Sequence, residues 1–188
     1  MNSIEDAKKK ICSLIPKSKF EKMVYVTAVL TKLLENNRIR PVIVGGLAVE
    51  IYTRSDYTTV DIDVIVSDRK LAGDILVQLG FIPEGRHWYH EELMVSIEIP
   101  NDILEDADYE KIIELKLRDG SKVYVIGIED IILDRLRACI HWKSTSDCEW
   151  GKRMFYLHFE RIDLEYMRKK AKLDLTIERL EKWIHEYE

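Results

Sequence analysis

The chain contains few of the residues that interrupt or cross-link a fold. Only 4 prolines and 8 glycines occur among its 188 residues, and no cluster of them marks a flexible linker between domains. Its 3 cysteines, Cys12, Cys139 and Cys148, are too few and too unevenly spaced to indicate a disulfide framework, so they favour a reducing environment. The length suits one substantial domain, with or without an appended subdomain.

Long apolar runs are missing as well. No segment approaches the roughly 20 consecutive apolar residues of a membrane-spanning helix, and the starting sequence MNSIEDAKKK lacks the apolar stretch of a secretory signal. The net charge of -5 at pH 7 argues against a broad nucleic-acid-binding surface, although it allows a local basic patch. These absences predict a cytoplasmic protein that does not enter a membrane.

The hydrophobic pattern divides the chain into an α/β part, residues 1–127, and a helical part, residues 128–188. In the first part we predict strands at 39–44, 59–66, 81–89 and 92–99, helices at 19–36, from 47 to about 52, and at 68–79 with Ser67 as the N-cap, and a hairpin of strands 112–117 and 122–126 around Asp119-Gly120. In the second part we predict helices at 129–142, 147–158, 164–172 and 175–187. The expected fold class is therefore α/β (α+β), a mixed sheet with flanking helices and a C-terminal helical subdomain.

The segment 42–66 carries the most specific functional pattern. An apolar run ends at Gly45-Gly46, and a second apolar run shortly afterwards contains Asp61 and Asp63. Carboxylates at positions i and i+2 of a strand point to the same face. A glycine turn at a helix N-terminus binds phosphate through backbone N–H groups, and paired carboxylates bind a divalent cation. The pattern therefore predicts phosphoryl-transfer chemistry on a metal-bound nucleoside triphosphate.

Two-metal phosphoryl transfer requires a further carboxylate on a neighbouring strand. Glu98 is the candidate, because it is an acidic residue inside the apolar segment Met94–Ile99 and a charge in such a place needs a partner or a metal. The alternative is an edge-strand carboxylate that faces water.

Other combinations of metal-binding residue types favour structural explanations. His87 and His90 are three positions apart on a predicted strand, which places them on opposite faces and disfavours a shared metal. Cys139, His141 and Cys148 match no standard zinc spacing, so we expect them to be packed or exposed helix residues.

These residues resemble the polymerase-beta-like nucleotidyltransferase superfamily, in which a strand, a Gly-Gly or Gly-Ser turn opening a helix, an Asp-x-Asp strand and a later acidic residue recur in this order. The matching positions are Gly45, Gly46, Asp61, Asp63 and Glu98. Within the superfamily the chain is similar to the abortive-infection (AbiEii-like) toxin nucleotidyltransferases of bacteria and archaea, on the segments 45–48, 58–63, 127–136 and 142–150. The likeness extends over about residues 20–187.

The resemblance implies a nucleotidyltransferase-fold sheet and a role for each matched residue. Asp61, Asp63 and Glu98 would be catalytic and would bind Mg²⁺ or Mn²⁺; Gly45 and Gly46 would approach the triphosphate; Arg54, Arg135 and Lys143 are candidate contacts to phosphate or acceptor, unless they are ordinary surface charges. The turn lacks the common serine, Glu98 stands where aspartate is usual, and Arg135 stands near the position of a lysine in the toxin group. Arginine binds phosphate but does not act as a base, because it keeps its proton.

The expected function is metal-dependent transfer of a nucleoside monophosphate to an unidentified acceptor, which could be tRNA, a protein or a small molecule. The toxin-group resemblance implies an antitoxin protein as a partner. The alternatives are a catalytically silent nucleotide-binding protein of the same fold and an interaction module that dimerises through its helical tail. Fold alone does not decide between them.

Overall fold

The computed structural model describes residues 3–188. Its α-helices are α1 (Ile4–Ser13), α2 (Lys19–Glu35), α3 (Gly45–Tyr52), α4 (Arg69–Gln78), α5 (Ile128–His141), α6 (Thr145–His158), α7 (Leu164–Leu173) and α8 (Ile177–Tyr187). Its strands are β1 (Val42–Val44), β2 (Asp61–Ile65), β3 (Ile82–Glu84), β4 (His87–His90), β5 (Val95–Glu98), β6 (Ile113–Lys116) and β7 (Lys122–Val125). Short 3-10 helices cover Tyr109–Lys111 and Phe159–Arg161.

The strands form one mixed sheet in the order β3-β4-β5-β2-β1-β7-β6. β1 pairs antiparallel with β2 and parallel with β7, and β2 pairs parallel with β5. One face of the sheet is fully buried, and its central residues are Ile43, Ile62, Val64, Ile97, Val123 and Val125. Helix α2, which packs on β2, β5 and β7, supplies much of the partner surface. The other face carries Asp61 and Asp63, which are only partly buried.

The predicted fold class is confirmed: a mixed sheet with flanking helices is followed by four C-terminal helices. The structure corrects three local details. The strand predicted at 81–89 is a hairpin, because Gly85 turns the chain with a φ of +63° and Glu84 pairs with His87. The N-cap of α4 is Asp68 rather than Ser67, since the Asp68 carboxylate accepts the Leu71 N–H at 2.9 Å. Helix α1 was not predicted.

The cysteines also differ from the prediction of an unlinked, reduced set. Cys139 of α5 and Cys148 of α6 form a disulfide, with their Cα atoms 4.6 Å apart, while Cys12 is free and exposed. The two helices are joined by the short turn 142–144, so they run side by side and bring together cysteines nine positions apart in sequence. Spacing alone did not reveal this, because the pairing depends on how α5 packs against α6.

The C-terminal helices share the main hydrophobic core. Buried residues of the sheet, of α2 and of α5–α8 form one continuous cluster, which includes Met154, Phe155 and Trp183. Polar contacts join the two parts as well, because a His158 ring nitrogen lies 3.0 Å from the Tyr52 carbonyl oxygen. The division into residues 1–127 and 128–188 remains a prediction about folding units. Within residues 3–188, no helix has the length and apolarity needed to cross a membrane.

Candidate active site

Asp61 and Asp63 begin β2 and project from the partly open face of the sheet, as their i, i+2 spacing predicts. The Thr59 hydroxyl donates to Asp61 Oδ1 at 3.2 Å, and the Gly46 N–H donates to Asp63 Oδ2 at 3.4 Å. Each aspartate is therefore oriented by a group outside its own strand. The loop before β2 is fixed in turn by Glu50, whose buried carboxylate accepts the Thr59 N–H at 3.1 Å.

The two glycines are required by the close approach of β2 to the start of α3. Gly45 has a φ of +56°, a conformation that favours glycine, and a Cβ there would overlap the Asp63 carboxylate. A Cβ on Gly46 would overlap the Thr59 side chain, with only 2.8 Å to the Thr59 Cβ. The helix has no side-chain cap at its N-terminus. Its first N–H groups therefore remain free to bind an anion beside the aspartates.

Glu98 ends β5 opposite Asp63 in the parallel β2–β5 pair. Paired residues in neighbouring strands point to the same face, so the three carboxylates converge. One oxygen from each of Asp61, Asp63 and Glu98 lies within 4.8 Å of the others, and no other group of three candidate metal-binding side chains occurs within residues 3–188. Arg86 Nε contacts Glu98 Oε1 at 2.6 Å, and His87 Nδ1 lies 3.7 Å from Oε2.

The electrostatics of this cluster favour a cation. Burial raises the pKa of the Asp63 carboxyl to about 6, and the negative charges of Asp61 and Glu98 add to this effect. The Gly46 N–H and the Arg135 guanidinium act in the opposite direction. Carboxylates that repel one another at this distance are the donor set that a hard divalent cation such as Mg²⁺ or Mn²⁺ prefers. The residues present therefore fit such a metal.

Arg135 lies on α5, close enough to the cluster for its charge to lower the pKa of Asp63. Its Nη1 donates to Asp147 Oδ1 of α6 at 2.7 Å, while its buried Nε has no hydrogen-bond partner within residues 3–188. Burial by itself would raise the pKa of Asp147, but hydrogen bonds from Ser144 and Arg135 outweigh it and the pKa is lowered. The arginine is therefore held in one place with a donor to spare.

The other two predicted cationic contacts lie elsewhere. Arg54 is exposed just beyond the C-terminal end of α3, whereas the carboxylates adjoin its N-terminal end. Eight helical residues separate these ends by about 12 Å. Lys143 is exposed in the turn between α5 and α6, about two helical turns beyond Arg135. The structure thus brings together the two glycines, the three acids and Arg135, but not Arg54 or Lys143.

Sequence reasoning missed the residues that orient the acids. Thr59 stands two positions before Asp61, and its hydroxyl gave a signal that could have been used. Glu50 and Arg86 gave none, because each reaches its partner through the tertiary fold. Arg86 occupies the turn of the β3–β4 hairpin, which the sequence analysis took for a continuous strand.

Comparison with solved structures supports the fold. The chain is similar to an antigenic nucleotidyltransferase-like protein from Paracoccidioides brasiliensis, with a TM-score of 0.54 and 15% identity over 82% of this chain and 91% of that one. It is also similar to the antibiotic-resistance factor ANT(2'')-Ia, with a TM-score of 0.52 and 13% identity over 85% of this chain and 94% of that one. At these identities the likeness concerns the fold alone. No protein of curated function matched the sequence.

A sequence model of the family described as "Nucleotidyltransferase of unknown function (DUF6036)" matches residues 21–186. This range contains the glycine turn, the three acids and Arg135. The chain therefore belongs to this nucleotidyltransferase family, which agrees with the superfamily expected from its motifs. The finer resemblance to the abortive-infection toxin group remains a prediction.

Proposed function

We propose that this member of a nucleotidyltransferase family is a metal-dependent enzyme that transfers a nucleoside monophosphate from a nucleoside triphosphate to a hydroxyl or phosphate acceptor. The observation that carries the proposal is the convergence of Asp61, Asp63 and Glu98 within 4.8 Å of one another beside the uncapped start of α3. This combines a cation site and a triphosphate site on one face of the sheet.

The residues at the site have separate roles in this proposal. The N–H groups that begin α3 bind the triphosphate, and Gly45 and Gly46 keep side chains out of its path. Arg135 neutralises phosphate charge with its remaining donors. The acceptor oxygen attacks the α-phosphorus, the bond to the β,γ-phosphates breaks, and pyrophosphate leaves. Glu98 takes the proton of an acceptor hydroxyl, directly or through water.

Asp61, Asp63 and Glu98 would hold Mg²⁺ or Mn²⁺. When bound, the metal neutralises the charge that develops on the phosphates in the transition state. The raised pKa of Asp63 supports this assignment, since a cation would relieve the repulsion that burial and its acidic neighbours impose. Positioning of the donor and acceptor supplies much of the remaining rate enhancement.

The experiment is thermal unfolding of the wild type and of an Asp61→Ala/Asp63→Ala variant, with each of the four nucleoside triphosphates and with Mg²⁺ or Mn²⁺. A ligand that binds only the folded state raises its stability, by about 2.7 kcal/mol at 100 times its Kd. A metal-dependent shift with one nucleotide, lost in the variant, supports the proposal and identifies the donor. No shift with any nucleotide, in a folded wild type, contradicts it.

A silent nucleotide-binding protein is the second candidate, favoured by the ion pair between Arg86 and Glu98 at 2.6 Å. An arginine that keeps hold of Glu98 would prevent it from accepting a proton. Pyrophosphate release separates the two candidates, because the silent protein binds a nucleotide without releasing pyrophosphate. If Arg86 only occupies Glu98 between turnovers, Arg86→Gln leaves pyrophosphate release intact.

The biological role follows from the resemblance to abortive-infection toxins. In that role the enzyme would act in the cytoplasm and be neutralised by an antitoxin protein. Induced expression tests this: growth arrest by the wild type but not by Asp63→Asn supports a toxin, and normal growth with an active enzyme contradicts it. The acceptor in such a role could be tRNA, a protein or a small molecule, and the acidic pI of about 5.6 disfavours a long RNA.

A further inference from the structure

The sheet face that carries the catalytic acids continues beyond them into a cavity. Asp63 pairs with Val44, and one step further Ile65 pairs with Val42, which in turn pairs with Tyr124. Because alternate residues of a strand share a face, all of these side chains lie on the face of the acids. The row of Ile65, Val42 and Tyr124 lies about 7 Å from the row of Asp63.

This second row forms the floor of a cavity of about 620 Å³, which is the size of a site for one small ligand. Ile65 and Val42 supply an apolar floor. Two tyrosines, Tyr109 and Tyr124, and the Ser67 hydroxyl also line the cavity. The space thus combines ring-stacking surfaces with polar groups, next to the three carboxylates but separate from them.

Two arginines give the cavity its charge. Arg38 and Arg40 both line it, and no carboxylate oxygen of residues 3–188 lies within 4.0 Å of either guanidinium. The Arg40 guanidinium lies 5.4 Å from the centre of the Tyr124 ring. Arg38 adopts a φ of +60°, a conformation that costs free energy for a residue other than glycine. Unpaired arginines beside an aromatic ring are suited to a phosphate attached to a planar group.

The other charges in the cavity are compatible with such a ligand. Lys122 is committed to Glu35 and Glu114, at 3.0 and 3.1 Å, so Glu114 is neutralised within the protein. Asp102 also lines the cavity and offers an acceptor for the amino or imino group of a base. Phosphate is therefore expected at the arginines, and the ring between the tyrosines and Asp102.

We propose that this cavity is the acceptor subsite and that it binds a nucleotide, either free or at the end of an RNA. Arg38 and Arg40 would bind its phosphate and the tyrosines its base, which directs a ribose hydroxyl toward Asp63 and Glu98. The inference rests on the proposed nucleotidyltransferase function and specifies its acceptor. The hydroxyl oxygen bonds to the α-phosphorus of the triphosphate, pyrophosphate leaves with the electrons of the broken bond, and the hydroxyl proton passes to Glu98.

The experiment is calorimetric titration of the full chain, in EDTA, with adenosine, guanosine, cytidine and uridine 5′-monophosphates and with inorganic phosphate. The variants are Arg38→Gln and Arg40→Gln. Arg118→Gln, an exposed arginine in the β6–β7 turn outside the cavity, is the matched loss of charge. Asp63→Asn tests whether the nucleotide occupies the metal site instead.

The expected result is binding of at least one monophosphate, weakened about tenfold or more by each cavity variant, since a hydrogen bond to a charged group contributes about 1.5–3 kcal/mol. Arg118→Gln and Asp63→Asn should bind as the wild type does. The proposal is overturned by absence of binding, by equal binding in the cavity variants, by loss in Asp63→Asn, or by inorganic phosphate binding as tightly as every nucleotide.

A second readout separates this inference from the proposed function. The metal-dependent shift with nucleoside triphosphate should persist in Arg38→Gln and Arg40→Gln, because it depends on the acids and α3. If that shift occurs while no monophosphate binds, the acceptor assignment fails and the nucleotidyltransferase proposal stands. If monophosphates bind at the arginines while no triphosphate binds, the proposed function fails. A short single-stranded RNA that binds more tightly than every monophosphate would identify the acceptor as an RNA end.

Discussion

Asp63 shows a conflict between stability and chemistry at the scale of one residue. Its carboxylate is enclosed between the Gly45-Gly46 turn and two other acids, and its pKa is raised to about 6. An acid whose pKa is higher in the folded than in the unfolded state destabilises the fold when it is ionised. The destabilisation is complete above pH 6 and disappears as the pH falls from about 6 toward 4. A functional group retained at such a cost is common in active sites.

We therefore expect Asp63→Asn to stabilise the metal-free protein at pH 8, by about 1–3 kcal/mol from the size of the pKa shift. The variant keeps an oxygen for the Gly46 N–H but loses the charge. Denaturant unfolding in EDTA at pH 8 and at pH 4 measures this, and the gain should vanish at the lower pH. Asp74→Asn, at an exposed carboxylate of α4, is the control and should change nothing. A destabilised Asp63→Asn at pH 8 would contradict the prediction.

Gly45 provides a second test at this scale. Gly45→Ala adds the left-handed conformational cost, about 1–2 kcal/mol, and also a collision with the Asp63 carboxylate. Gly85 has a similar φ of +63° but nothing within 4 Å of its missing Cβ, so Gly85→Ala isolates the conformational cost. We expect a larger loss of unfolding free energy in Gly45→Ala, together with loss of the metal-dependent triphosphate shift, which Gly85→Ala should retain. Equal losses and a retained shift in both variants would show that the collision has no consequence.

At the scale of elements, the α5–α6 hairpin positions the one cation close to the acids. Arg135 and Cys139 are four positions apart on α5 and so share a face, and they meet the neighbouring residues Asp147 and Cys148 of α6. The ion pair and the disulfide therefore join the same two helical surfaces. Gly151 allows this close packing, because a Cβ there would lie 3.0 Å from the Arg135 Cβ.

Loss of this disulfide should destabilise the protein. For a loop of about ten residues, the chain-entropy estimate is roughly 2–3 kcal/mol. We expect thiol reduction, or Cys139→Ser/Cys148→Ser, to lower the unfolding temperature, and Cys12→Ser, at the free and exposed cysteine, to leave it unchanged. Thiol titration of the denatured, unreduced protein should find one reactive cysteine. Three reactive cysteines would mean that the disulfide does not form under the conditions of purification.

At the scale of the whole molecule, the core is shared between the sheet and the C-terminal helices. Tyr57 packs edge-to-face on Trp150 with ring centres 5.1 Å apart, and Tyr52 packs in the same manner on His158 at 5.7 Å. These contacts join the end of α3 and the loop after it to α6. The chain segment that fixes the glycine turn and Asp61 thus depends on the helices that follow the sheet.

A fragment of residues 1–127 should consequently lack a cooperative unfolding transition. Without α5–α8 it would expose the surface on which Phe155 and Trp183 are buried. Near-ultraviolet circular dichroism and denaturant titration measure this, with the full chain as the reference. A cooperative transition in the fragment would instead establish residues 1–127 as an independent domain, as the change of pattern at Gly127 suggests.

The sequence by itself determined the features that depend on neighbouring positions. The alternation of β2 fixed Asp61 and Asp63 on one face, the helical periodicities located seven of the eight α-helices, and the Asp119-Gly120 turn located the β6–β7 hairpin. Such features follow from geometry that repeats every two or 3.6 residues. Their spacing, with the Gly45-Gly46 turn, also indicated the superfamily.

Only the tertiary structure decided what depends on strand order and helix packing. The pairing of β5 with β2 brought Glu98 opposite Asp63, and α5 brought Arg135 beside it but left Arg54 and Lys143 away from the acids. The disulfide and the arginine cavity likewise join residues from elements that are separate in the sequence. No local pattern encodes these contacts, because each depends on the free energy of packing the whole core into one arrangement.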